Sequence, residues 1–186
     1  MKFKAKRFYS CKEDLKQFHF QLKQTPCPHC RSTGFLNLHG YLRGYDEHDF
    51  CKKVIRGRRI FCNNRGRGTS CGRTFSILAA QILKKFMISA QSFWRFLKKV
   101  LAGRPKIQAF QAVATTLTRS SCYRLWKIFR LQQAAIRSKL LNLCPAPMNS
   151  LTHQPQLQTI LHLKTAFTSS ACPILAFQNH FQTSFL

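Results

Sequence analysis

Four cysteines have the spacing of a metal site. Cys27-Pro28-His29-Cys30 is a C-x-x-C pair, and Cys62 with Cys71 forms a second pair downstream. A C-x-x-C turn delivers two thiolates to one side of a tight bend. Two such pairs suit a single tetrahedral zinc in a closed structural site, with no open position for catalysis. Because the second pair is C-x8-C, residues 63–70 (Asn-Asn-Arg-Gly-Arg-Gly-Thr-Ser) must loop out between the ligands, which adds only modest closure entropy. Gly72 follows the second pair, whereas Arg31 follows the first, where glycine is favoured. His29, His39 and Cys51 are alternative ligands, His39 the best of them, and the competing interpretation of the four is small buried or surface thiols. Cys11, Cys122, Cys144 and Cys172 lack partners at ligand spacing and read as ordinary thiols. Nine cysteines cannot all pair, which fits a reducing compartment in which clustered thiols bind metal.

The charge points to the partner. Thirty-one Lys and Arg against five Asp and Glu leave a formal +26, and such a self-repelling surface calls for a polyanion. All five acids, Glu13, Asp14, Asp46, Glu47 and Asp49, precede residue 50. A metal-dependent nuclease or strand-transferase needs several carboxylates converging from separate elements, so the expectation is a protein that binds and does not cut. With 45% hydrophobic and 12% aromatic residues the chain can bury a core and is not a disordered basic tail. No stretch approaches the roughly 18 apolar residues of a membrane span, and the opening MKFKAKRFYSCKEDLKQF has no apolar run of signal-peptide type. A cytoplasmic, nucleoid-associated location without membrane contact is expected.

The elements that would position these residues give an α+β, mostly α chain: a small β zinc ribbon, then a helical domain with a helix-turn-helix. The charge and turn pattern divides it into a basic N-terminal arm (1–26), the ribbon (27–75), the helical domain (76–144) and a C-terminal tail with one or two short helices (145–186). Short β-type runs at 35–38 and 54–62 lie between turn formers. Helical spacing begins at residue 76: Ile77, Leu78, Ile82, Leu83 and Phe86 form one stripe over 76–87, and Phe93, Phe96, Leu97, Val100 and Leu101 another over 89–102. Ser89 is a fitting N-cap, and Gly103 with Pro105 supplies the stop. Further helices are expected over 106–116, 120–142, 156–167 and 173–185. Of the 31 cations only Lys164 lies beyond residue 144. There, Ile174, Phe177, Phe181 and Phe185 form a stripe that must be buried, against the chain's own helices or in a homodimer through the C-terminal helices.

Three phrases carry a family resemblance: CPHC, the arginine-rich Ile55-Arg56-Gly57-Arg58-Arg59-Ile60-Phe61-Cys62, and the closing Cys71-Gly72-Arg73-Thr74-Phe75-Ser76. Together they resemble the N-terminal zinc ribbon of bacterial insertion-sequence transposases, in which the closing phrase leads into DNA-binding helices. The resemblance covers about residues 27–142 in order of elements, and CGRTFS is its most specific piece. It implies a DNA-binding role for the region held by the ribbon cysteines. The carboxylate-based strand-transfer domain of those transposases has no counterpart in these residues.

Residues 108–127, QAFQAVATTLTRSSCYRLWK, have helix-turn-helix spacing. Ala112 is the small residue between the helices, Leu117 and Cys122 are the buried positions, and Thr118 or Ser120 is the cap. The first turns of the second helix then present Arg119, Ser121, Tyr123, Arg124 and Lys127 to a major groove, where arginine can pair with guanine O6 and N7. Arg56, Arg58, Arg59, Arg65, Arg67 and Arg73 of the ribbon are further candidate DNA contacts. Arg65 and Arg67, among glycines, suit phosphate alone. The expectation is one structural zinc and sequence-specific binding of double-stranded DNA. The alternatives are a structural RNA-binding zinc ribbon, a degenerate mobile-element remnant, and a recombinase component using the five acids as metal ligands.

Overall fold

The computed structural model describes residues 6–63, 70–113, 116–147 and 154–186. Within them the chain is α+β, with six helices and a four-stranded sheet. β1 (Phe8–Tyr9) and α1 (Lys12–Phe20) come first, then β2 (Leu36–Tyr45), β3 (Lys53–Cys62) and β4 (Thr74–Ala79). The sheet order is β1-β4-β3-β2, with β1 parallel to β4 and the other neighbours antiparallel. The β2–β3 register runs from Leu36 opposite Cys62 to Tyr45 opposite Lys53, with irregularities at Leu38/Gly40 and Leu42/Arg43, and such bulges bend and twist a hairpin. Gly57 lies between Leu42 and Leu78 in the middle of the sheet. A Cβ there would sit 2.2 Å from the Ile77 carbonyl oxygen, so only glycine lets the strands close.

Two parts of the sheet depart from the sequence expectation. β2 extends well beyond residues 35–38, because pairing with β3 supplies hydrogen bonds to a Gly- and Arg-rich stretch with little β signal of its own. Residues 76–87 are not a helix. Phe75, Ile77 and Ala79 alternate inward along β4, a two-residue period that the helical stripe concealed, and the chain then turns through Lys85 at φ +68° to bury Leu83 and Ile88. Residues 8–20 are likewise built into the structure. β1 joins the sheet, and α1 packs Phe18 into a cluster with Leu22, Cys27, Leu36, Ile60, Cys62, Phe75 and Ile77.

The helices are α2 (Ala90–Leu101), α3 (Lys106–Gln111), α4 (Arg119–Leu140), α5 (Pro155–Ala166) and α6 (Pro173–Phe181). Ser89 caps α2 by accepting from the Ser92 N–H at 3.1 Å, and Gly103 at φ +84° ends it. α3 stops short of residue 116, and α6 stops at Phe181 because Gln182 turns left-handed at φ +51°, bringing Phe185 back onto the bundle. The C-terminal phenylalanines share one core with α2 to α4: Phe129 stacks on Phe185 at 6.0 Å between centroids, and Phe177 meets Phe185 edge-on at 5.4 Å. Phe177, Phe181 and Phe185 are all buried within the chain itself. Trp94 is buried too, and Trp126 packs partly buried on the same cluster.

Polar side chains join the two cores. The fully buried Gln178 amide donates to the carbonyls of Ala80 (2.7 Å) and Ile82 (3.0 Å) and accepts from the Phe185 N–H (3.0 Å). Gln182 Oε1 accepts from the backbone N–H groups of Arg7 and Phe8. Glu47, in the β2–β3 connection, accepts from the Ser89 N–H at 2.7 Å and the Ser92 hydroxyl at 3.0 Å, placing a carboxylate at the positive end of α2. Replacing Gln178 with Leu strands three backbone groups, the Ala80 carbonyl and Phe185 N–H in buried hydrogen bonds and the Ile82 carbonyl in a part-buried one, each at a cost of about 1 kcal/mol. Gln178→Leu is expected to destabilise the protein by about 3 kcal/mol, measured as a shift of the denaturant midpoint at unchanged slope.

Candidate metal centre

Cys27 and Cys30 sit on the turn that follows α1. The Cys27 N–H donates to the Ser32 carbonyl (2.9 Å) and the Arg31 N–H to the Cys27 carbonyl (2.8 Å), while the His29 N–H points at Cys27 Sγ at 3.4 Å. Arg31 adopts φ +64° and Gly72 φ +65°. Each cysteine pair is thus followed by a left-handed residue that turns the backbone around its sulfurs. Cys62 is the last residue of β3, and its N–H donates to the Arg73 carbonyl at 2.9 Å, so Cys71 is held beside it where the chain enters β4.

The four thiol sulfurs all lie within 4.8 Å of one another. Cys27–Cys71 and Cys30–Cys62 are each separated by 3.7 Å, far beyond the roughly 2.05 Å of a disulfide. In a regular tetrahedron with sulfur about 2.3 Å from a zinc ion, neighbouring sulfurs stand about 3.8 Å apart. The cluster therefore fits a tetrahedral metal ion. Ser32, through backbone and hydroxyl hydrogen bonds, draws the Cys30 thiol down to about 6, and burial pushes Cys62 up to about 12. A bound cation stabilises the thiolate form of each ligand and couples its own binding to folding of the turn. His29, His39 and Cys51 are exposed and outside this group. Of the other thiols, Cys122 is buried and donates to the Lys106 carbonyl, Cys172 is buried, and Cys11 accepts from the Asp14 N–H as the cap of α1.

The candidate nucleic-acid residues are divided by the fold. Arg56 turns inward, its guanidinium donating to the carbonyls of Leu83 and Phe86. It holds the connection between β4 and α2. Arg58 lies over the Tyr41 ring, 3.7 Å from its centroid. Arg59 and Arg73 are exposed near the cysteine end of the sheet. On α4, Arg119, Tyr123, Arg124 and Lys127 are exposed and Ser121 is half-buried, while Cys122, Leu125 and Phe129 face the core. Arg124 also packs over Phe86, 5.8 Å from the ring centroid. Leu117 packs partly buried, Ala112 is exposed, and Thr118 is the N-cap residue of α4 without a side-chain cap hydrogen bond. Arg65 and Arg67 lie outside the described residues.

A second cationic feature is assembled by the fold. Arg95, Lys98, Lys99 and Arg104 converge with His48 on a groove of about 760 Å³ beside the α3–α4 connection. In sequence a lysine pair on a helix has the form of a solvated face, and nothing in the sequence signals that the hairpin tip is brought against it. Among the described residues these four cations have no carboxylate partner. No helix among the described residues is long and apolar enough to cross a membrane. No family model, curated protein or solved structure matches the chain.

Two substitutions separate the turns from the sulfurs. Gly72→Ala puts a Cβ into a left-handed conformation at a cost of about 1 kcal/mol, whereas Arg31→Gly relieves the same strain and is expected to be neutral or mildly stabilising. Thermal unfolding of the metal-loaded protein checks both signs.

Proposed function

We propose that residues 27–79 form a zinc ribbon and that α3 and α4 act as a helix-turn-helix, the two together binding double-stranded DNA in a sequence-dependent way without cutting it. The ion is one structural zinc on Cys27, Cys30, Cys62 and Cys71. The observation that carries the reading is the division of α4. Its buried face anchors it through Cys122, Leu125 and Phe129, leaving Arg119, Tyr123, Arg124 and Lys127 on the outer face at helical spacing. A rigid helix can hold such side chains in register with base edges. The cationic groove beside the α3–α4 connection is suited to phosphate contacts.

The carboxylates support binding over hydrolysis. Glu47 is committed to the N-terminus of α2, Asp46 and Asp49 accept from the backbone of His48 and Cys51, and Asp14 is bonded to Ser10 and Lys6. Asp14, Asp46 and Asp49 thus serve their local backbone or a nearby lysine, and Glu47 serves the first turn of α2. The transposase resemblance of the ribbon phrases agrees with this reading, and the nucleoid location is part of it; the C-terminal stripe that suggested a homodimer is buried within the chain instead.

Selection of bound duplexes from a random library, followed by salt titration of the best site, tests it. Affinity should fall steeply with salt, the log-log slope set by the number of phosphates neutralised. Arg124→Ala should cost about 1 to 3 kcal/mol and relax preference at one or two base pairs, whereas Arg59→Ala should weaken all duplexes alike. If Arg119→Ala and Arg124→Ala leave the sequence preference intact, α4 is not a reading helix. Metal analysis should find about one zinc per chain, and chelation should unfold the region around the cysteines first.

A further inference from the structure

On the α1 side of the sheet lies a groove of about 540 Å³ between that helix and the β2–β3 hairpin. Its floor is half apolar: Tyr41 is 54% exposed and Ile55 51%, although both stand on paired strands where such side chains are normally covered. The Arg58 guanidinium is stacked on the Tyr41 ring at 3.7 Å, so one wall is a flat, cationic π-surface. From the opposite wall come Lys12, Lys16 and His19 of α1. His19 Nε2 is buried yet has no hydrogen-bond partner, and burial together with the nearby Arg58 charge holds the imidazole below its usual range, hence neutral at pH 7. Among the described residues no carboxylate lines the groove.

The geometry points to a binding site for one unpaired nucleotide of a single strand. A nucleobase is the planar, partly apolar group that a Tyr–Arg platform accepts without regard to sequence. Its edge would lie against the His19 side chain, which lines the groove from α1. Its phosphodiester would lie against Lys12 and Lys16, and the volume is that of a small-ligand pocket. A peptide would satisfy the apolar floor but not the cation pair. Duplex DNA keeps its base faces stacked away from any such platform. The site uses none of the α4 residues, so it stands or falls independently of duplex reading.

The test uses the full chain and a short single-stranded oligodeoxynucleotide carrying one 5-iododeoxyuridine. Irradiation should cross-link it to Tyr41, free thymidine monophosphate should compete, and duplex of the same sequence should compete poorly. Tyr41→Ala should weaken single-strand binding by at least about fivefold while Tyr41→Phe retains it, because the ring face and not the hydroxyl is used. Lys12→Gln with Lys16→Gln should reduce the salt dependence of that binding. Circular dichroism of each variant confirms that the fold is intact, and duplex affinity measured in parallel reports on α4 separately. Cross-links spread over α4 or the cysteine end, or single-strand affinity unchanged in both Tyr41→Ala and His19→Ala, overturn the assignment. So does binding of the mononucleotide with none of the strand.

Discussion

Three segments of the chain, at Cys27–Cys30, Cys62 and Cys71, meet at four sulfurs, and the N-terminal half takes its register from that meeting. Cys62 ends β3 opposite Leu36 and donates to the carbonyl of Arg73, so fixing the second cysteine pair fixes how β2, β3 and β4 align. The cluster around it is small: apart from the cysteines it holds few large buried side chains, chiefly Phe18, Leu36, Ile60, Phe75 and Ile77. A sheet with so little apolar surface behind it depends on cross-linking of some kind. The thiols supply the ligands for one, with each pair wrapped by a left-handed residue that aims its sulfurs inward.

The helical half needs no such device. Its core is dominated by aromatic rings, and the C-terminal helices complete it instead of trailing from it. The two halves are joined by polar contacts, with Gln178, Gln182, Arg56 and Glu47 each satisfying backbone groups that neither core could cover alone. Three of the four reach across long stretches of sequence to do so. Arg56 illustrates the result: a side chain that composition assigns to the polyanion surface is spent on the carbonyls of Leu83 and Phe86.

Much of this was legible where the signal is local. The four cysteines, the Ser89 cap, α2, α4 and α5 follow from spacing and capping chemistry that a short window contains. The elements that were misread are those decided at a distance. The β4 segment reads as helix because Ile77, Leu78, Ile82 and Leu83 satisfy a helical stripe, while the strand alternation of Phe75, Ile77 and Ala79 becomes decisive only with β3 on one side and β1 on the other. β1 itself is two residues long and has no periodicity to read. The cationic groove and the Tyr41–Arg58 platform were invisible for the same reason: each is assembled from elements whose adjacency is a property of the tertiary fold.

The bond from Gln182 to β1 has a kinetic consequence. The donors of Arg7 and Phe8 that it satisfies are separated from it by 175 and 174 residues, among the largest spans available to this chain. Loop-closure entropy delays contacts of that span relative to hairpins and helical turns. The β2–β3–β4 meander and the α2–α4 helices can therefore nucleate separately. The Gln182 contact with β1 is expected to form late, after the aromatic bundle has organised α6, whereas the pairing of β1 with β4 does not wait for it.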